Sequence, residues 1–121
     1  MPENAIVAII EDDPGWGERI KEKLEDAGHS VVGPFISYAE AMQAIPTFKD
    51  IGVQAVTLDE NLTKSETSGV DGESLLQEIR EQAPGVKVIS VAARPRAEAD
   101  ATVDKAEYNQ VSQLGAIVTR I

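Results

Sequence analysis

The 121-residue chain has no cysteine, one histidine, one tryptophan, two tyrosines and two phenylalanines. Without thiols there can be no disulfide framework and no thiolate metal site, so a metal centre would need oxygen ligands and at most one imidazole. A cysteine-free chain suits a cytoplasmic setting, which is the expectation here. Basic residues are also scarce, 11 Lys and Arg against 21 Asp and Glu, for a net charge of −10. That balance argues against gripping nucleic acid, which depends on cations that neutralise phosphates. The longest apolar run is Ala5 to Ile10, far short of the roughly 20 residues of a membrane span. With 42% hydrophobic residues there is material for one ordinary core, and we expect a single domain over residues 1–121 with neither nucleic-acid nor membrane partners.

Five segments read as strands. Ala5 to Ile10 is short, largely β-branched and uninterrupted, the pattern of a strand buried on both faces of a parallel sheet. It ends in Glu11-Asp12-Asp13, and Pro14 then suits a first helical position with Asp13 as N-cap. Ile20 and Leu24 continue that helix at helical spacing until Gly28 stops it. Ser30 to Gly33 is a weak second strand, and Ser37-Tyr38-Ala39-Glu40 is a capping box that opens a second helix. Val53 to Leu58 and Val86 to Val91 are the third and fourth strands, flanking a helix over 72–82 with Leu75, Leu76 and Ile79 on one face. Ala99, Val103, Ala106 and Leu114 suggest a long helix from about 97 to 114, and Ala116 to Thr119 a last short strand. Strands alternating with helices predict an α/β fold with a doubly wound five-stranded parallel sheet, whose crevice lies at the carboxyl ends of the strands.

In such a sheet Glu11, Asp12, Asp13 and Asp59 emerge at one edge. Carboxylates gathered there repel one another unless a hard divalent cation lies between them, and oxygen ligands with retained water suit Mg²⁺. Asp13 is better read as a helix cap alone, whereas Asp12 with Asp59 favours the metal.

These features together make the sequence resemble a response-regulator receiver domain of the two-component signalling family. The likeness is carried by "IVAIIEDDP", "AVTLDENL", "GVDGESLLQEIREQAPGVKVISVAA" and "LGAIVTRI". It implies a flavodoxin-like receiver fold in which Asp59 is the phosphoacceptor. It also implies that Mg²⁺ is held by Glu11, Asp12, Asp59 and the backbone carbonyl of Asn61. A carboxylate attacking a phosphoryl group needs such an ion to offset charge and align the oxygens. The implied partners are a histidine kinase or phosphotransfer protein upstream and a protein target downstream.

The resemblance has gaps. Ala92 stands where the family has a Ser or Thr at the end of strand four, and a methyl group can neither donate nor accept a hydrogen bond. Ser90 lies deeper in the same strand and reads as a buried structural residue. If strand five is Ala116 to Thr119, Arg120 is nearest to the family's lysine, without the proline that follows it, and Ile117 takes the place of an aromatic switch residue. On that reading the final helix is missing and the exposed sheet face would favour a homodimer.

Two other functions compete with a phosphorylated single-domain receiver. One is a degenerate receiver that acts as a phosphorylation-independent interaction module. The other, suggested by "LDENLT", is a haloacid-dehalogenase-like phosphatase, although Asn61 could not serve as the general acid. His29 reads as a surface residue after Gly28, Trp16 as a helix-one residue near the acidic turn, and Thr63 to Gly69 as a polar flap or tolerated insertion beside the site.

Overall fold

The first apolar run folds as a central strand, β1 (Ile6–Ile10), with Val7, Ala8, Ile9 and Ile10 fully buried. The computed structural model describes residues 4–59, 70–92 and 98–121. After β1 come α1 (Pro14–Asp26), β2 (Ser30–Phe35), α2 (Tyr38–Ala44), a 3₁₀ turn (Ile45–Thr47), the short α3 (Phe48–Ile51) and β3 (Ala55–Leu58). Then follow α4 (Val70–Gln82), β4 (Lys87–Ala92), β5 (Ala101–Asp104), α5 (Tyr108–Ser112) and α6 (Leu114–Arg120). The sheet has the order β2-β1-β3-β4-β5, and every neighbouring pair is parallel. The chain reverses its winding direction between β1 and β3, which is where a crevice opens in such sheets.

Alternation along the strands sends side chains to two separate cores. On one face Ala8, Ile10, Val56, Leu58 and Val88 pack under α2, α3 and α4, with Phe48 and Ile45 filling the centre. On the other, Val7, Ile9, Ala55, Ile89, Val91 and Val103 meet Ile20 and Leu24 of α1 and Leu114 and Val118 of α6. Full burial of each large side chain is worth about 1.5–3 kcal/mol, so neither helical layer is dispensable.

The last quarter of the chain, beyond Ala92, departs from the sequence reading. Strand five is Ala101–Asp104, inside the segment expected to be a helix, and Leu114–Arg120 is a helix where a strand was expected. The final helix is therefore present, and the sheet face whose exposure would have favoured a homodimer is covered by α1 and α6. The physical reasons are local. β5 is an edge strand of four residues with Val103 alone fully buried and Thr102 exposed, too short to show period-two patterning. In α6 the β-branched Ile117, Val118 and Thr119 imitate a strand, but Leu114, Gly115 and Val118 form one buried helical face. Tertiary packing overrides local propensity there. Gly115 is required for that packing, because a Cβ added to it would collide with Cβ of Ala27.

β4 ends at Ala92 and β5 begins at Ala101, which leaves eight residues, 93–100, for a parallel crossover; such a connection usually takes a dozen or more and includes a helix. Asp100 braces this short link: its Oδ2 accepts from the Val88 backbone N–H at 2.8 Å and from Arg80 Nη1 at 2.9 Å. Burial alone would raise the Asp100 carboxyl, but the Val88 N–H and the Arg80 and Lys87 charges hold it below its usual value.

His29 also differs from expectation. It is buried, its Nδ1 accepts the Ala5 N–H at 3.0 Å, and its Nε2 lies 3.1 Å from the Gly115 carbonyl. Because Nδ1 is an acceptor, the proton sits on Nε2, which donates to Gly115. The residue after the Gly28 stop thus ties the start of β1 to α6, a long-range link invisible in the sequence.

Candidate functional site

Three backbone hydrogen bonds extend the ladder one residue past the strands and fix the site. The Asp59 N–H donates to the Ile10 carbonyl at 2.9 Å, the Glu11 N–H to Phe35 at 3.0 Å, and the Lys105 N–H to Ala92 at 3.0 Å. The second depends on a bulge: pairing shifts from Ala8 opposite Val32 to Ile10 opposite Phe35. Gly33 supplies the bulge at φ +95°, where a Cβ would stand 2.9 Å from the Ile9 carbonyl oxygen; only glycine adopts that conformation without strain. Asp13 acts as the N-cap of α1, its Oδ1 accepting from the Gly15 and Trp16 N–H groups at 2.8 and 3.2 Å, which turns the chain away from the edge as its sequence position suggests.

Glu11, Asp12 and Asp59 thereby converge, with one carboxylate oxygen from each lying within 4.8 Å of the other two. Glu11 and Asp59 are buried and Asp12 half-buried. Lys105 reaches in from the end of β5, its Nζ 2.7 Å from Glu11 Oε1 and 3.4 Å from Asp59 Oδ1. Burial, followed by the charge of Glu11, pushes the Asp59 carboxyl up to about 8 against the pull of Lys105. Burial likewise raises Glu11, with Lys105 opposing. Among the described residues three carboxyl groups face one lysine, and burial together with the charge of Glu11 keeps a proton on Asp59 at neutral pH.

That imbalance is what a hard divalent cation would relieve. The donors are all oxygens, they converge from two strand ends, and Asp12 is open enough to leave room for retained water; the set fits Mg²⁺. Asn61 and the Thr63 to Gly69 loop lie outside the described residues.

The predicted residues separate in space. Glu11, Asp12 and Asp59 come together as expected. Ala92 is buried at the end of β4, paired in register with Asp104 beside the lysine. Arg120 is exposed at the end of α6, and Ile117 packs toward the core under α6. Both belong to α6 and not to strand five. Lys105 is the cation that the sequence reading missed. The signal for it is faint: Lys105 directly follows Ala101-Thr102-Val103-Asp104, a tetrad too short to establish a period and lying inside the segment expected to be a helix. No residue of β5 is aromatic. Ser90 is fully buried, as expected.

A parallel sheet of this order, with an acid cluster and a lysine at its carboxyl edge, is the architecture of a flavodoxin-like receiver. The sequence model of the response regulator receiver domain matches residues 7–112, and the chain belongs to that family. Solved structures with the same fold include the response regulator PhyR from Brucella abortus, at 24% identity and TM-score 0.75, covering 98% of this chain and 48% of that one. The chain thus spans about half the length of that regulator. A CheY-like receiver from Methanospirillum hungatei JF-1 gives 23% identity and TM-score 0.72, covering 97% and 93% of the two chains. The BeF3-activated DrrB receiver domain gives 22% identity and TM-score 0.72, with 97% and 96% covered. No match is found among curated proteins.

Proposed function

We propose that this receiver accepts a phosphoryl group on Asp59 from a phosphohistidine of a histidine kinase or phosphotransfer protein, and acts through contact with a downstream protein. The observation that carries the reading is the convergence of Glu11, Asp12, Asp59 and Lys105 at one sheet edge. In the reaction an Asp59 carboxylate oxygen forms the new O–P bond as the N–P bond of phosphohistidine breaks. The electron pair of that bond stays on the imidazole nitrogen, which takes up a proton. Asp59, held protonated by burial and by Glu11, must lose its proton before it can attack. Mg²⁺ bound by Glu11, Asp12 and Asp59, with the Asn61 carbonyl as the expected fourth ligand, would supply charge neutralisation and alignment of the phosphoryl oxygens. Lys105 can exchange its Glu11 contact for a phosphoryl oxygen, compensating the added charge. The role is that of a signalling domain, and turnover of a free substrate is not part of it. A cytoplasmic setting follows from the proposed donors; separately, no helix among the described residues is long and apolar enough to cross a membrane.

A second reading, a module whose contacts ignore phosphorylation, draws on Ala92 and on a β5 without an aromatic residue. Lys105 beside Glu11 and Asp59 supports the acceptor reading, whereas the departures fall on the groups that would respond to it. Titration with beryllofluoride, with and without Mg²⁺, tests the assignment. The mimic should bind wild type only with the metal and should not bind Asp59→Asn; equal behaviour of the two proteins rejects Asp59 as acceptor.

A further inference from the structure

Beside the acid cluster, the Trp16 indole carries two cations. Lys105 Nζ lies 5.2 Å from the ring centroid and the Arg19 guanidinium carbon 4.9 Å from it. Trp16 sits in the first turn of α1, where the Asp13 cap holds its backbone N–H, and its ring is half-buried. A lysine side chain has four rotatable carbons and little intrinsic aim. Here the ammonium faces Glu11, Asp59 and the indole together, so the ring occupies a side of the cation that water would otherwise take. An ammonium near an aromatic face is held by the ring quadrupole, more strongly where water is excluded.

We propose that Trp16 is a positioning residue for Lys105, keeping its ammonium against the Glu11 and Asp59 carboxylates so that it is already aimed when a phosphoryl group arrives on Asp59. The inference rests on the phosphoacceptor reading above. Lys105 needs such a support because its partners change during the reaction: it leaves Glu11 for a phosphoryl oxygen, whereas the ring stays on the same side of it throughout. Arg19, on the next turn of the helix and exposed, adds a second cation to the same ring.

The test is a double-mutant cycle on the full chain. Trp16→Ala, Trp16→Phe, Lys105→Ala and the Trp16→Ala/Lys105→Ala pair are compared for affinity toward beryllofluoride in the presence of Mg²⁺, read by ¹⁹F NMR, and Asp59→Asn serves as the blank. Trp16→Ala should weaken binding about three- to thirtyfold, the range of a partly desolvated cation–π contact, while Trp16→Phe recovers most of it. In the Lys105→Ala background the Trp16 substitution should have almost no further effect. Equal affinity of Trp16→Ala and wild type, or losses at the two positions that simply multiply, would overturn the positioning role while leaving Asp59 as acceptor. A wild type that binds no mimic rejects the acceptor reading and the positioning role with it. Should Trp16→Ala melt below the assay temperature, Trp16→Phe is compared with Trp16→Leu instead, since leucine keeps the apolar volume without the ring face. Weaker binding by the leucine variant then supports the positioning role, and equal binding by the two overturns it.

Discussion

Removing the Asp59 carboxyl should change the pH dependence of stability in a calculable direction. In the folded protein, burial and Glu11 raise Asp59 from 3.8 to about 8. The folded state therefore keeps a proton that the unfolded chain loses above pH 4. Stability from this source is complete below pH 4 and is lost as the pH rises toward 8. One extra bound proton corresponds to about 1.4 kcal/mol per pH unit, a few kcal/mol at most between pH 5 and pH 7. Partial solvent access and the sharing of the proton with Glu11 reduce this to about 1–2 kcal/mol. For a domain of this size that is a fall in Tm of about 4–8 °C. Asp59→Asn cannot carry the proton and removes one of the two buried acids that share Lys105, so the variant should lack most of this slope. Asp100, whose carboxyl is held low, contributes in the opposite sense but only on the acid side of the window. Melts of both proteins at pH 5, 6, 7 and 8, without metal, give the difference curve, which isolates the contribution of Asp59 and of its coupling to Glu11. With millimolar MgCl₂ the wild-type slope should flatten, because the cation favours the ionised acids. A difference curve that is flat or rises in favour of wild type between pH 5 and pH 8 refutes the account of the cluster.

Other expectations follow from single contacts. Asp100→Ala removes the acceptor of Val88 N–H and the partner of Arg80, and should cost about 1–3 kcal/mol in urea unfolding; an unchanged midpoint would mean that the short β4–β5 link needs no brace. Gly115→Val places a side chain against Ala27 and should destabilise by about 1–3 kcal/mol or more, with loss of hydrogen-exchange protection in α6; full protection would refute the close α1–α6 packing. Thr57 Oγ1 is buried and has no hydrogen-bond partner among the described residues, so Thr57→Val should be neutral or stabilising by about 1 kcal/mol in thermal melts, and a loss of that size would reveal a hidden partner. Magnesium affinity should rise between pH 6 and pH 8 as the shared proton is displaced, which isothermal titration in two buffers of different ionisation enthalpy can count; no proton release on binding would contradict the raised Asp59.

The first three quarters of the chain was readable because it obeys strong local rules. Buried parallel strands appear as uninterrupted β-branched runs, Asp13 with Pro14 marks a helix start, and the spacing of Leu75, Leu76 and Ile79 gives one helical face. The acids were legible too, because a parallel sheet brings the residues after its strands to one edge whatever the loops do. Beyond Ala92 those rules lost their purchase. A four-residue edge strand holds too few apolar positions to display its period, and a β-branched helix whose face is completed by a glycine looks locally like a strand. The error at β5 then carried the family's lysine onto Arg120 and concealed Lys105.

Sequence alone thus determined the fold class and the acidic edge to which Glu11, Asp12 and Asp59 converge, since each follows from patterns within a few neighbouring residues and from the geometry of a parallel sheet. Tertiary structure decided which cation completes the site, that the final helix closes the second core, and that His29 is an interior tie. Those outcomes depend on contacts between residues 24 to 94 positions apart, such as Ala5 with His29 and Glu11 with Lys105, and no local pattern encodes which distant partners will meet.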